Sequence, residues 1–483
     1  MIVIGQPQAA EVNLPDMGSP ADAILSKTDE AQIGQAIMRE IRASGTLVED
    51  PQINEYINEI GHRISAFANT AGQKFTFFVV DAPSINAFAL PGGYIGVHSG
   101  LIQASRSEDE LAGVLAHEIA HVTQRHIARA VHASQRQSIL SMAMMLGAIL
   151  AGVAGAGGDV IQGAIAVAQG TSAQQQINFT RSNEYEADRI GIMALADSGF
   201  DPTGMASFFE VISRNTRPVE SRVPEFLMTH PVSSARIAEA RNRARAYPQV
   251  QTEDTHNYGI TRARLVANSQ TTAEQAVAIF EAADYDRQSD ANKYGRAIAY
   301  LRAGRNNEAN QIFEDLLNRD HQVIAYHIGL AQAQLALERI AESAATFERA
   351  IELFPRNVPL VVHYAEALLQ LEEPDKAHKL LLDLLNNVPP TPEQVRLIAR
   401  AAVDAGDAAE AHYYMAEYRF MIGDLLGGVD FLQRALRLPN LEEIQRIRYE
   451  ARIDFVQEFM TEEQLQKMQR IRPRGSVVGL VRK

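Results

Sequence analysis

An α+β domain, mostly helical with a small sheet and followed by an all-α superhelix, is the architecture this sequence predicts, and three observations carry it. Apolar residues Ile53, Tyr56, Ile57, Ile60 and Ile64 recur at three- and four-residue steps, the helical period. Residues 75–102 are instead rich in Phe, Val and Ile and broken by Pro83 and by Pro91-Gly92-Gly93, which predicts short strands joined by turns. Beyond about residue 254 the strand-like runs stop and a gapless internal repeat takes over.

The bulk properties narrow the function. A chain of 483 residues exceeds one ordinary core, so at least two domains are expected. A hydrophobic fraction of 46% with 22% charged residues belongs to a folded chain rather than a disordered one. The formal charge of -14 argues against nucleic acid as a partner, because phosphate binding needs clustered Lys and Arg. There is no cysteine, which excludes disulfides, thiolate ligands and a cysteine nucleophile. Any metal must be held by His, Asp or Glu. The opening MIVIGQPQAAEV has neither the basic start nor the apolar core of a secretory signal, although its IVI could be a truncated remnant, so it does not report the compartment.

In chain order, residues 1–20 read as a tail and 21–253 as the first domain. Its first clear helix covers Pro51 to about Phe67. After the strand-rich stretch, Ser107 with Glu110 resembles a capping box, and the spacing predicts one helix running on through ELAGVLAHEIAHVTQRHIARAVH. Residues 137–180 carry a single charged side chain, Asp159, among Ala, Gly, Met and Leu. A buried or lid-like helical hairpin is the expectation there; a membrane-surface contact or a span is the alternative, weakened by the many Gly and Ala. A further helix, FTRSNEYEADRIGIMALADSGF, ends at Gly199.

From 254 to 483 the second domain is built on the repeat. Segments starting at Ala303, Leu337, Leu371 and Ala405 are 34 residues apart, and Phe313, Phe347, Leu381 and Met415 fall at one phase. Pro355 and Pro389 close two of the units. A helix, a turn and a second helix at this period is the tetratricopeptide pattern. One helix pair cannot bury its own apolar face, so the units stack into a superhelix whose concave side is open to a protein partner.

The chemistry lies in His117-Glu118-Ile119-Ala120-His121. On a helix the two imidazoles sit one turn apart on one face and can grip one ion, while Glu118 cannot share that grip but can reach a water and act as general base. A catalytic zinc wants a third protein ligand and an open position. The helix from Asn183 to Leu195 supplies Glu184, Glu186 and Asp188, with Glu184 and Asp188 on one face; spacing alone does not choose between Glu184 and Glu186 as ligand. His126 is expected off the metal face and structural, and His62, His98 and His132 have no partner at ligand spacing.

The stretches HEIAHVTQRH, SNEYEADRIGI and THPVSSARI are similar to the gluzincin peptidases that include the CAAX prenyl proteases. The opening LPDMGSPADAILSKTDEAQIGQAIMREIR and NAFALPGGYIGV resemble the branch with a tetratricopeptide tail, so the likeness covers nearly the whole chain. The resemblance implies His117, His121 and Glu184 as ligands of one zinc, Glu118 as base and Asp188 as the carboxylate that orients a ligand. It places the family's His-Pro on His230-Pro231 and its Arg on Arg236. His230 is then expected as a fourth ligand in a resting state, or, with Arg236, as an oxyanion donor. It also implies a periplasmic enzyme and chaperone acting on misfolded or stalled outer-membrane proteins, with the barrel-assembly machinery as partner of the repeats. The competing expectation is a repeat chaperone or scaffold with an idle metal site. Residues 86–96 are a candidate edge for an extended substrate to join by strand addition.

Overall fold

The computed structural model describes residues 25–68, 70, 72–133, 173–215, 225–248, 250, 254–282, 289–460 and 462–471. Helix α1, Lys27–Ala43, is opened by a reciprocal Ser26–Asp29 box, and α2, Pro51–Ser65, by Asp50, whose carboxylate accepts from the amides of Gln52 and Ile53. The five apolar residues of α2 named above are all buried. Strands β1 (Thr76–Val80), β2 (Ala87–Leu90) and β3 (Tyr94–His98) form one sheet in the order β1-β3-β2, with β1 parallel and β2 antiparallel to β3. Pro91-Gly92-Gly93 closes the β2–β3 hairpin, and both glycines take left-handed backbone angles, φ 82° and 86°, that a β-carbon disfavours. Among the described residues β2 pairs only with β3, so one of its sides is an edge.

Helices α3 (Ser99–Ala104), α4 (Glu108–Thr123) and α5 (His126–Ala133) follow. The single helix expected beyond Ser107 is two: Arg125, at φ 53°, breaks it after α4 and turns the chain before α5. The capping box is half made. Ser107 Oγ accepts from the Glu110 amide at 3.3 Å, but the Glu110 carboxylate takes the Arg106 amide at 2.8 Å and its guanidinium at 2.6 Å. A charged partner outcompetes a neutral amide for that carboxylate.

Helices α6 (Ala173–Asp197), α7 (Thr203–Asn215), α8 (Glu225–Thr229) and α9 (Ser234–Ala244) complete the first region. Helix α4 lies at its centre: Leu111, Leu115 and Ile119 share a core with Ile192 and Leu195 of α6, Phe208, Phe209 and Ile212 of α7, and Phe226 of α8. Burial on all sides fixes the helix that carries His117 and His121. Residues 137–172 of the low-charge segment lie outside the described residues. None of the described helices is long and apolar enough to cross a membrane.

Helix α10, His256–Ser269, serves two cores, sending Tyr258 and Leu265 into the first and Ile260, Ala263 and Ala267 into the second. The repeats then run as helix pairs: 290–302 with 306–319, 324–336 with 340–353, 358–370 with 374–387, and 392–404 with 408–421. The 34-residue phase is visible in the backbone itself. Gly304, Glu338, Glu372 and Gly406, one in each pair's turn, all have positive φ. Phe313, Phe347 and Leu381 are buried, and Met415 is partly buried against the core that holds Phe347 and Leu381. Polar contacts tie the regions together. Arg264 Nε donates to Asp50 Oδ2 at 2.6 Å and Nη1 to Tyr294 Oη at 2.9 Å, while Tyr294 Oη donates to Gln52 Oε1 at 3.2 Å. Asn357 Nδ2 donates to Glu55 Oε1 at 3.0 Å.

Candidate metal centre

Helix α4 presents His117 and His121 on one face; α6 brings Glu184, and the residue after α8 brings His230. One ligand atom from each lies within 4.8 Å of all the others. His121 Nε2 is 3.0 Å from His117 Nε2, which is 3.3 Å from His230 Nδ1 and 3.4 Å from Glu184 Oε2. Glu184 Oε1 is 3.4 Å from His121 Nε2 and 3.1 Å from His230 Nδ1. Ligands ~2.0–2.1 Å from a tetrahedral centre are separated by about 3.3 Å, so the donor set fits a tetrahedral divalent ion. Ring nitrogens facing one another inside a protein also need something to share; a cation satisfies all of them at once.

Two of the three cage imidazoles are held from behind. His117 Nδ1 lies 3.0 Å from Asp188 Oδ1. His121 Nδ1 lies 2.9 Å from His126 Nδ1, and His126 Nε2 lies 3.3 Å from Glu186 Oε2, which also accepts from Arg129 at 2.8 Å. A consistent proton arrangement runs outward: His121 Nδ1–H donates to His126, and His126 Nε2–H to Glu186, leaving the lone pair of His121 Nε2 for the cage. Thus Glu184 and Glu186, which spacing could not separate, face different partners. His126 is outside the cage yet in direct contact with a cage histidine. The break at Arg125 puts it there, and nothing in a continuous helical pattern signals it.

Arg236 of α9 is buried, its Nε and Nη2 bonded to Asp188 at 2.8 and 2.7 Å and its Nη1 2.8 Å from Glu184 Oε2 and 2.9 Å from the Pro231 carbonyl. It thus braces two acidic residues of the site. Glu118 is buried beside the cage without belonging to it, with Oε1 3.6 Å from His230 Nε2. The His230 ring stacks on Phe226 with centroids 4.8 Å apart.

Protonation follows the same logic. Burial pushes His121 down to about 3 and His126 down to about 4, keeping both neutral. Burial acts on His117 in the same sense, but the carboxylates of Asp188 and Glu184 outweigh it and push the ring up to about 10. For Asp188 and Glu184 burial acts upward, and hydrogen bonds and charge from His117 and Arg236 at Asp188, and from the facing imidazoles at Glu184, still hold both carboxyls below the usual range. The centre is built around positive charge. His62 stacks edge-on against Phe77 and buried His98 bonds Ser84 Oγ at 2.8 Å, so neither joins the cage.

A buried His/Glu cage on a His-Glu-x-x-His helix, ahead of a helical repeat, defines a metallopeptidase. Residues 51–244 match Peptidase family M48 and residues 334–401 the Tetratricopeptide repeat family. The chain is 35% identical over 452 residues to the beta-barrel assembly-enhancing protease of Escherichia coli (strain K12), covering 92% of this chain and 91% of that protein. It is 35% identical over 447 residues to the protein of that name in Yersinia pestis, covering 91% of each. The mitochondrial metalloendopeptidase OMA1 of Schizosaccharomyces pombe is 30% identical over 182 residues, 38% of this chain and 50% of that protein. The chain belongs to the beta-barrel assembly-enhancing protease family, and it is a metalloprotease.

Proposed function

We propose that the protein is a zinc-dependent endopeptidase of periplasmic quality control, with one zinc per chain held by His117, His121 and Glu184. The observation that carries this reading is the convergence of those donors at the separations of a tetrahedral ion, next to a carboxylate, Glu118, that stands outside the set. Zinc bound there supplies Lewis acidity, making water nucleophilic near neutral pH and polarising a peptide carbonyl. Glu118 takes the proton of the attacking water and returns it to the leaving amine. Asp188 and the His126–Glu186 pair orient the two imidazoles. The free side of β2 takes the substrate as an added strand.

His230 is the resting lock in this reading. Its Nδ1 lies 3.3 Å from His117 Nε2 and 3.1 Å from Glu184 Oε1, close enough to serve as a fourth ligand in place of the attacking water, and turnover would then require the segment bearing it to withdraw. His230→Ala is then expected to raise basal cleavage; lower or unchanged activity would favour the oxyanion role. Arg236, its donors already engaged by Asp188, Glu184 and Pro231, is read as a positioning residue rather than an oxyanion donor.

The proposed clients are misfolded or stalled outer-membrane proteins, and the proposed partner of residues 254–483 is the barrel-assembly machinery; similarity over 92% of the chain to a protease named for that process supports both. The test is metal content by mass spectrometry beside casein cleavage, on wild type and on Glu184→Gln. About one zinc per chain, lost together with cleavage in Glu184→Gln, is expected. Wild type without zinc after metal-replete purification would hand the function to the scaffold alternative.

A further inference from the structure

A crevice of about 310 Å³ lies between α1 and the repeat helices, and none of the residues lining it belongs to the metal cage. One wall is Arg39 and Arg42, a helical turn apart on α1, with Tyr94 at the start of β3. The other is apolar: Pro392, Phe420 and Met421. Both arginines are half-buried, and among the described residues neither guanidinium has an ion-pair or hydrogen-bond partner. Elsewhere in the peptidase region the pattern is different. Arg106, Arg125, Arg129 and Arg236 are each paired with a carboxylate, and Arg63 donates to the Ser198 carbonyl.

A half-buried guanidinium loses hydration, and folding recovers that loss only through a partner. The chain has 59 acidic residues against 45 basic ones, so the vacancy is not for want of carboxylates. The repeats also leave room for the pair. A β-carbon at Gly423 would run into the Arg39 side chain, so the turn before the helix Leu425–Ala435 accepts Arg39 because it is glycine. Tyr94 is paired with Leu90, which places the crevice at the Leu90 end of the edge strand β2.

We propose that this crevice is a docking subsite for a carboxylate-bearing stretch of a protein client. Arg39 and Arg42 fork the carboxylate, and a neighbouring apolar side chain of the client lies on Pro392, Phe420 and Met421. The carboxylate is a Glu or Asp side chain or a free C-terminus, which share this chemistry. The inference rests on the reading of the chain as a protease and adds where a client is held outside the cage.

The test uses full-length Glu118→Gln protein and three short fluorescent peptides followed by anisotropy. One is neutral, amidated and contains Phe; one adds Glu beside the Phe; one keeps the neutral sequence but ends in a free carboxylate after Phe. At least one carboxylate peptide is expected to bind about tenfold tighter than the neutral one. Which of them does so identifies the source. The preference is expected to vanish in Arg39→Gln/Arg42→Gln and in Gly423→Ala, the second variant guarding against misfolding of the first, with melting temperature as the control. Equal binding of all three peptides, or a preference that survives both variants, overturns the proposal. Cleavage of the probes by Glu118→Gln would overturn the general-base assignment alone, because the binding comparison reads the crevice and not the chemistry.

Discussion

Two regions of this molecule bury charge, and they do so in opposite ways. At the seam between the peptidase and the repeats, Asp50, Arg264, Tyr294 and Gln52 form a chain of hydrogen bonds in which the Arg264 cation meets the Asp50 carboxylate. In the cage, His117, His121 and His230 turn ring nitrogens toward one another and toward Glu184. The seam pairs its charge within the protein; the cage crowds donors that a cation would satisfy. Complementary groups mark a structural joint, and crowded like groups mark a place kept for something else.

The sharpest way to break this contrast is Glu118→Gln. If the cage serves chemistry, cleavage of casein should fall by about 10²–10⁴-fold while metal content stays at the wild-type level. Persistent cleavage would return Glu118 to a structural role. Next in size, Arg264→Ala leaves the part-buried Asp50 carboxylate with only the Gln52 and Ile53 amides, and a chemical-denaturation midpoint should report a loss of about 1–3 kcal/mol with metal still bound. A smaller loss would mean that water enters the seam.

His126→Ala sharpens the cage side: removing the group behind His121 should weaken metal affinity by about 10–100-fold in a chelator competition, with little change in melting temperature of the loaded protein. An unchanged affinity would make the contact incidental. The smallest effect belongs to Glu55, whose carboxyl is pushed up to about 7, chiefly by burial against the repeats. The folded chain therefore holds this proton over a range in which the unfolded chain, with an ordinary carboxyl, has released it. Stability from this group falls as pH rises from about 4.5 through 7 and is level above that. Thermal melts of wild type and Glu55→Gln between pH 5 and 8 should diverge in that sense; parallel curves would count against it.

Much of this was legible in the residues. Helical spacing placed His117 and His121 on one face, Pro91-Gly92-Gly93 marked the hairpin, and the 34-residue period located turns whose left-handed residues recur even where the sequence offers Glu338 or Glu372 in place of glycine. What was not legible depends on a single backbone angle or on distant partners. A helix extrapolated through Arg125 sends His126 away from the metal face, whereas the break there returns it to His121. Periodicity describes the interior of a helix and says little of where a tight turn interrupts it. Likewise the Arg236 guanidinium meets Asp188 across 48 residues of sequence, and no local pattern announces that choice.

The cage gathers side chains from three stretches of chain, with His117 and His230 separated by 113 residues and Glu184 and His230 by 46. An ion gripping all of them closes loops of that length in any partly unfolded state and so removes much of the disorder the loose chain would otherwise enjoy. In a sequence with no cysteine, metal loading would thus act as a reversible cross-link. Supply of the ion would then govern how long the protein survives as well as whether it cuts.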